Sequence, residues 1–336
     1  MRKSPKQTEY LYATARFRAL EAGLVGKDRI EQLADAANAA EIFARLEEFG
    51  VALVRDASGE VLAEQTLLGV LQAALDNIYE SAPAPELYDF LKYPYDCNNV
   101  KVAIKCYLRH VSADGMLFDF GTVSAKDVEK MPAEGDFSAL PAAMAAAAHQ
   151  AIAAYEKTAN PRMIDLILDK ACFADMLACV KCGGDPLHLQ LLGTQIDLVN
   201  AMICLRLVRM GGGEQARVLL EDAMIEGGTL SLQALLSAFE GGESALYDLL
   251  AHSGYDKLVQ AIKESDGSLA AAERAVDDYR MALVRTVRYT PFGASVLTAY
   301  FYAQEYAVKN VRIILAAKSA GLSPQTIRER IRTSYV

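Results

Sequence analysis

Apolar residues recur with a helical period along most of this 336-residue chain. The pattern is clearest near the C-terminus, where one face of a 3.6-residue repeat carries Phe301, Val308, Val311 and Leu315. Gly321 suits the position just past a helix end, Ser323 the next N-cap and Pro324 the first helical position after it. This stretch therefore predicts a long helix, a sharp stop and a second short helix over residues 325–332.

The rest of the chain shows the same alternation of helical segments with glycine or proline breaks. Alanine, leucine, glutamate and arginine recur, tryptophan is absent and β-branched runs are short, which favours helix. The sequence therefore predicts an all-α fold with helices at 10–24, 27–37, 39–49, 63–81, 96–110, 125–130, 141–159, 163–181, 187–210, 215–225, 231–239, 244–251, 257–263 and 269–288.

Three helical segments resemble one another: Asp96–Lys105, Asp197–Arg206 and Ala307–Leu315. Each contains an asparagine, and positions 99, 200 and 310 are 101 and 110 residues apart. Two places after each asparagine comes a long side chain, and then an apolar run. An internal repeat of this kind predicts similar helical modules.

We expect three modules, over residues 1–120, 121–213 and 214–336, closed around a pseudo-threefold axis. Asparagine is a poor helix former and needs a reason to stand mid-helix. Its amide could clamp a neighbouring helix or loop, held by Asp96 or Asp197 one turn earlier. Alternatively, one asparagine per module could line a polar cavity. Buried amides usually satisfy nearby backbone groups, which favours the clamp.

Charge is uneven along the chain. The whole protein is −9, but residues 285–336 hold eight Arg and Lys against two acids, a balance of +6. Such a basic end could dock an acidic partner, or its cations could complement helix dipoles. The candidate docking residues are Lys318, Arg328, Arg330 and Arg332. A helix-turn-helix DNA-binding regulator using Ser323–Arg332 is the alternative, although the acidic net charge and the lack of a second basic patch disfavour it.

No pattern in the sequence supports catalysis, a cofactor or a metal. There is no Gly-x4-Gly-Lys-Ser/Thr phosphate loop, and Gly211-Gly212-Gly213 follows a helix rather than a strand. Cys179-Val-Lys-Cys182 with His188 is an incomplete zinc pattern, so the six cysteines are expected to be reduced thiols. Asp165 and Asp169 share a helix face that we expect to be solvated. No segment approaches the about 20 apolar residues of a membrane helix.

Several motifs together resemble the C subunit of prokaryotic V-type (A-type) ATPases, whose eukaryotic counterpart is the d subunit. They are Tyr10-Leu-Tyr-Ala-Thr-Ala-Arg-Phe-Arg-Ala-Leu-Glu21, the Asp-x-x-Asn helices, and Glu305-x-x-x-Lys-Asn-x-Arg-x-Ile-x-x-x-Lys-x-x-Gly-Leu. The resemblance covers essentially the whole chain. It departs from the pattern at the tandem Asn98-Asn99 and at Ala307, where the third helix lacks the aspartate.

The resemblance implies a non-catalytic coupling protein rather than an enzyme. The family folds as a funnel of three similar helical domains, lies peripherally on the cytoplasmic side of the membrane, and joins the central stalk of the soluble motor to the rotor ring. Rotation then passes through it to drive proton or sodium transport. The motif residues are Asp96, Asn99, Lys101, Asp197, Asn200, Arg206, Glu305, Asn310 and Arg312. No nucleic acid and no cofactor are expected.

Overall fold

The protein folds as helices and connecting segments over residues 5–336, the part of the chain that the computed structural model describes. No β-strand occurs in this part, where the only extended pairing is an isolated bridge between Arg55 and Val61. The all-α prediction is confirmed.

Fifteen α-helices follow one another in the described chain. Their bounds are Leu11–Leu20 (α1), Lys27–Asp35 (α2), Ala39–Glu48 (α3), Ala63–Ser81 (α4), Tyr93–Arg109 (α5), Ala125–Glu134 (α6), Ala142–Thr158 (α7), Arg162–Gly183 (α8), Pro186–Arg209 (α9), Glu214–Ala223 (α10), Leu232–Leu250 (α11), Asp256–Lys263 (α12), Leu269–Arg285 (α13), Ala294–Ser319 (α14) and Pro324–Arg328 (α15). Helix α11 is broken by the non-helical Gly242, as its Gly-Gly pair predicts.

Side-chain caps set the starts of several helices. The oxygen of each capping residue accepts a hydrogen bond from the backbone N–H three residues later, which satisfies one donor that the first helical turn leaves free. The capping residues are Asn38, Ser124, Ser231, Ser268 and Ser323. Asp185 performs the same task for α9, immediately before Pro186 at the first helical position.

The chain forms two compact units. One unit contains the described residues up to Pro85 together with Gln260–Val336, and the other is Glu86–Val259. We call them the terminal unit and the middle unit. The boundary between them falls inside α12. The division into three modules at residues 120 and 213 stays a prediction.

Helix α14 is the centre of the terminal unit. It packs against α1, α2, α3, α4 and α13, and 16 of its 26 residues are buried. The sequence predicts one apolar face here, but the helix is buried on almost every side, because four helices from the N-terminal part of the chain surround it.

The middle unit is organised around two asparagine-bearing helices. Helix α5 packs against α6, α7 and α8, and helix α9 packs against α8, α10 and α11. By length and composition α9 could cross a membrane, with a mean hydropathy of 1.5. However, 61% of that apolar window is buried inside the protein, as in the core helix of a globular fold.

The final short helix differs from the sequence prediction. Helix α15 ends at Arg328 instead of continuing to residue 332, and residues 331–336 have no regular secondary structure. The backbone N–H and C=O of Arg332 bond to the side chain of Asn310, so they are not available for helical hydrogen bonds. A five-residue helix is too short to serve as a recognition helix, which counts against the DNA-binding alternative.

Candidate functional site

The three repeated asparagines make the same contact with the backbone. The amide nitrogen of Asn99 donates to the carbonyl of Phe118 at 2.6 Å, and the amide oxygen accepts from the Phe118 N–H at 3.0 Å. Asn200 holds Ile225 in this way at 2.8 and 3.0 Å. All three asparagine side chains, including Asn310, are fully buried.

Asn310 repeats the contact with Arg332, at 3.0 Å for the donated bond and 2.8 Å for the accepted one. Each asparagine therefore fixes one residue of a later loop through both of its backbone groups. We call this arrangement the asparagine clamp. Since both polar ends of each buried amide bind backbone, the clamp interpretation describes these residues and the polar-cavity interpretation does not.

The aspartates one turn before the first two asparagines bind the same loops. Asp96 accepts from the N–H of Thr122 at 2.8 Å and from its hydroxyl at 2.7 Å. Asp197 accepts from the N–H of Leu230 at 2.9 Å and the hydroxyl of Thr229 at 2.5 Å. The aspartates therefore hold the clamped loop, whereas the sequence predicts that they hold the asparagine.

Burial raises the pKa of Asp96 and that of a tyrosine that contacts Asp197. The hydrogen bonds from Thr122 and Val123 oppose the rise at Asp96. Asp197 has a further donor, the hydroxyl of Tyr255 at 2.7 Å. Burial, together with this contact, raises the pKa of the Tyr255 phenol, so it remains a neutral donor.

A glycine lies against each carboxylate. A Cβ atom on Gly121 would be 2.0 Å from the Asp96 Oδ1, and one on Gly228 would be 2.1 Å from the Asp197 Oδ1. The sequence predictions do not include these glycines, although the loops align as Phe118-Asp-Phe-Gly-Thr-Val-Ser124 and Ile225-Glu-Gly-Gly-Thr-Leu-Ser231. The final serine of each loop caps the next helix, α6 or α11.

The third clamp has no aspartate on its own helix, because Ala307 occupies that position. Asp278 of α13 accepts from the Thr333 N–H at 2.6 Å instead. The tail then reaches α2: the Val336 carbonyl accepts from the Lys27 N–H at 2.9 Å, directly after Gly26, the N-cap residue of that helix. The tail held by the third clamp thus reaches the start of α2 through a hydrogen bond. The loops held by the other two clamps instead run directly along the chain into the starts of α6 and α11.

In two of the three clamps, the residue two places after the asparagine forms an ion pair with a neighbouring helix. Lys101 of α5 pairs with Asp169 of α8, and Arg312 of α14 pairs with Glu64 of α4. One turn after Lys101, Lys105 pairs with Asp165 at 2.5 Å. The carboxylates of Asp165 and Asp169 are thus paired with lysines of α5, while their side chains remain 40% and 46% exposed, so the expected solvated face also carries ion pairs.

Two further motif residues show no repeated role. Arg206 is exposed on α9. Glu305 and Lys309 lie four residues apart, a spacing that favours an ion pair on a helix, but the Lys309 ammonium bonds to Asp277 at 2.6 Å. Burial raises the pKa of Glu305, while the Arg280 guanidinium and the Lys309 ammonium oppose the rise.

Much of the positive charge of the C-terminal region is neutralised within the terminal unit. Arg328 pairs with Asp35 of α2, and Arg332 pairs with Asp277 of α13 at 2.9 Å with both side chains mostly buried. Lys318 is half-buried, and its charge helps to lower the pKa of Glu41 after larger contributions from hydrogen bonds with Ala37 and Arg45. Of the four candidate docking residues, only Arg330 is exposed in the structure.

Four of the six cysteines are buried free thiols: Cys97, Cys106, Cys172 and Cys204. Burial raises the pKa of Cys204 to about 11. His188 lies against the rings of Tyr88 and Phe90. Within residues 5–336 no group of three or more His, Cys, Asp or Glu side chains is arranged to hold a metal ion.

Buried amides hold helices to loops, and ion pairs hold helices to each other. These contacts define the chain as an all-α protein whose buried polar side chains bind its own backbone. The chain belongs to the ATP synthase (C/AC39) subunit family, whose family model matches residues 13–330. This agrees with the resemblance seen in its sequence motifs.

Curated relatives span nearly the whole chain at low identity. The chain is 22% identical to the C subunit of the A-type ATP synthase of Methanocaldococcus jannaschii, over 95% of this chain and 85% of the relative. It is 27% identical to the corresponding A-type ATP synthase protein of Halobacterium salinarum, over 96% and 97%. It is 23% identical to the C subunit of the V-type sodium ATPase of Enterococcus hirae, over 76% and 77%.

Proposed function

We propose that this protein is the non-catalytic central-stalk subunit of a rotary A/V-type ATPase. It would join the stalk of the soluble motor to the membrane rotor ring and transmit torque for ion transport. The observation that carries this proposal is the family match over residues 13–330, together with relatives named as C subunits of an ATP synthase or ATPase. The protein would lie peripherally on the cytoplasmic face of the membrane, bound through its partner subunits.

The asparagine clamps suit such a coupling role. A protein that transmits torque must deform little under load, and close-packed interiors have low compressibility. Each clamp ties a loop to a central helix through two hydrogen bonds at a fully buried site. We propose that these contacts stiffen three similar modules arranged as a funnel about a pseudo-threefold axis.

A membrane pull-down tests this function. The tagged protein, expressed in its own host, should co-purify from membranes with the catalytic, stalk and rotor-ring subunits of a rotary ATPase. Deletion of the gene should uncouple ATP hydrolysis from ion transport while leaving the soluble motor able to hydrolyse ATP. Recovery only from soluble extract, with none of these subunits, would refute the proposal.

A further inference from the structure

Three arginines among residues 285–336 have no acidic partner in the described part of the chain, namely Arg285, Arg288 and Arg330, and the first two are close neighbours in the chain. Arg312, Arg328 and Arg332 each pair with an acid on another helix. Arg285 and Arg288 are exposed, and within residues 5–336 the structure records no ion pair for either guanidinium. They lie three residues apart, at the end of α13 and in the following 3-10 turn, Thr286–Tyr289.

A tyrosine extends the same exposed surface. Tyr289 is 91% exposed, the highest value among the large apolar and aromatic side chains that the structure describes as exposed. Val284 at the end of α13 and Val287 in the turn are buried in the core. The end of α13 and the turn after it therefore carry two unpaired cations and one aromatic side chain, all exposed, within five residues. We call Arg285, Arg288 and Tyr289 the arginine–tyrosine patch.

The backbone beneath the patch is fixed in place. The guanidinium of Arg18 donates to the carbonyls of Val287 and Thr290, both at 2.8 Å. A few residues on, the N–H of Gly293 donates to the hydroxyl of the buried Thr14 at 3.3 Å. A surface that is already ordered loses less conformational entropy on binding, which favours recognition by a partner.

We propose that the arginine–tyrosine patch docks an acidic segment of a partner protein. Guanidinium groups bind carboxylates with two parallel hydrogen bonds, and arginine and tyrosine are enriched among residues that dominate binding energy. This inference rests on the proposed function, so the partner would be another protein of the same complex. An anionic lipid surface fits less well, because recognition of lipid by charge usually uses clusters of about four to eight basic residues.

Charge reversal with a matched control tests the patch. The double variant Arg285→Glu with Arg288→Glu is compared with Arg109→Glu with Arg162→Glu, which makes the same change at two other exposed arginines. Each purified protein is added back to ATPase membranes prepared from a strain that lacks this protein, and the bound fraction is measured against concentration. All four positions are exposed, so circular dichroism should show an unchanged fold.

We expect the Arg285/Arg288 variant to bind at least about tenfold more weakly than the wild type, and we expect the same of a Tyr289→Ala variant. The control variant should bind like the wild type. Wild-type binding should also weaken as salt is raised. Failure of the wild type itself to bind would overturn the proposed function. Normal wild-type binding with no loss in the Arg285/Arg288 variant would leave that function intact and overturn the patch.

A lipid measurement separates the two kinds of partner. The same proteins are floated with vesicles of phosphatidylglycerol and phosphatidylcholine. Little binding is expected, with no difference between the patch variant and the control. Vesicle binding that depends on Arg285 and Arg288 would make the patch a membrane contact and would overturn the protein-partner assignment.

Discussion

Replacing Asn200 with alanine removes a complete asparagine clamp. The side chain is fully buried and holds both the N–H and the C=O of Ile225, so the substitution leaves two buried backbone groups without partners. Each unsatisfied group costs about 1–3 kcal/mol, so we expect the free energy of unfolding to fall by roughly 2–6 kcal/mol. The lower end applies if water enters the vacated space.

Asn98→Ala is the matched control, because it makes the same change at an exposed position of another clamp-bearing helix. Alanine is the better helix former, so the control should be neutral or more stable by a few tenths of a kcal/mol, up to about 0.7. Urea unfolding followed by circular dichroism measures both variants. If two transitions are resolved, the Asn200 effect should fall in the transition of the middle unit. A difference between the variants below about 1 kcal/mol would refute the clamp as a source of stability.

Other predictions test the contacts around the clamps. Gly228→Ala should strongly destabilise the fold in thermal melts, because its Cβ would lie 2.1 Å from a buried carboxylate oxygen. The control Gly69→Ala lies in α4, where the added Cβ would meet open space, and should stabilise the fold by about 0.5–1 kcal/mol. Arg332→Ala should lower the urea midpoint more than Arg330→Ala, because only the first breaks a mostly buried ion pair; equal midpoints would contradict this. Glu243→Gln should lower stability at neutral pH by removing a two-point contact with an arginine. The hydrogen bonds from Arg209 lower the pKa of the Glu243 carboxyl. The wild type should therefore be more stable than the variant above about pH 4.3, and this difference in stability should be lost as the pH falls through the lowered pKa. A difference that persists in stronger acid would exclude this carboxylate as its source.

The structure also distinguishes basic residues of the C-terminal region that are alike in the sequence. From the sequence alone, Lys318, Arg328, Arg330 and Arg332 are equivalent surface cations near a chain end. Their acidic partners lie far away in sequence: Asp35 is 293 residues from Arg328, and Asp277 is 55 residues from Arg332. No local pattern predicts such pairs. Once they are placed, the arginines of residues 285–336 that remain unpaired in the described chain are Arg285, Arg288 and Arg330.

Local sequence determined the helices and most of the positions at which they begin. Periodic apolar positions, capping serines and glycine breaks act within a few residues, so α4 has the predicted bounds and Ser323 caps α15 as expected. The repeated asparagines were also visible, because an asparagine within an apolar helix conflicts with its own propensity.

Tertiary structure decided what those residues hold. The partners of the asparagines lie 19 to 25 residues away in loops whose conformation depends on packing, and the glycines beside Asp96 and Asp197 make sense only once the carboxylates are in place. Helix α14, near the C-terminus, is surrounded by α1 to α4 from the other end of the chain, a contact that no helical period encodes. The sequence by itself therefore determined the helical elements, the repeated motif and the family resemblance. Only the folded chain decided which charges are paired within the protein and which are left exposed and unpaired, because pairing depends on distances in space.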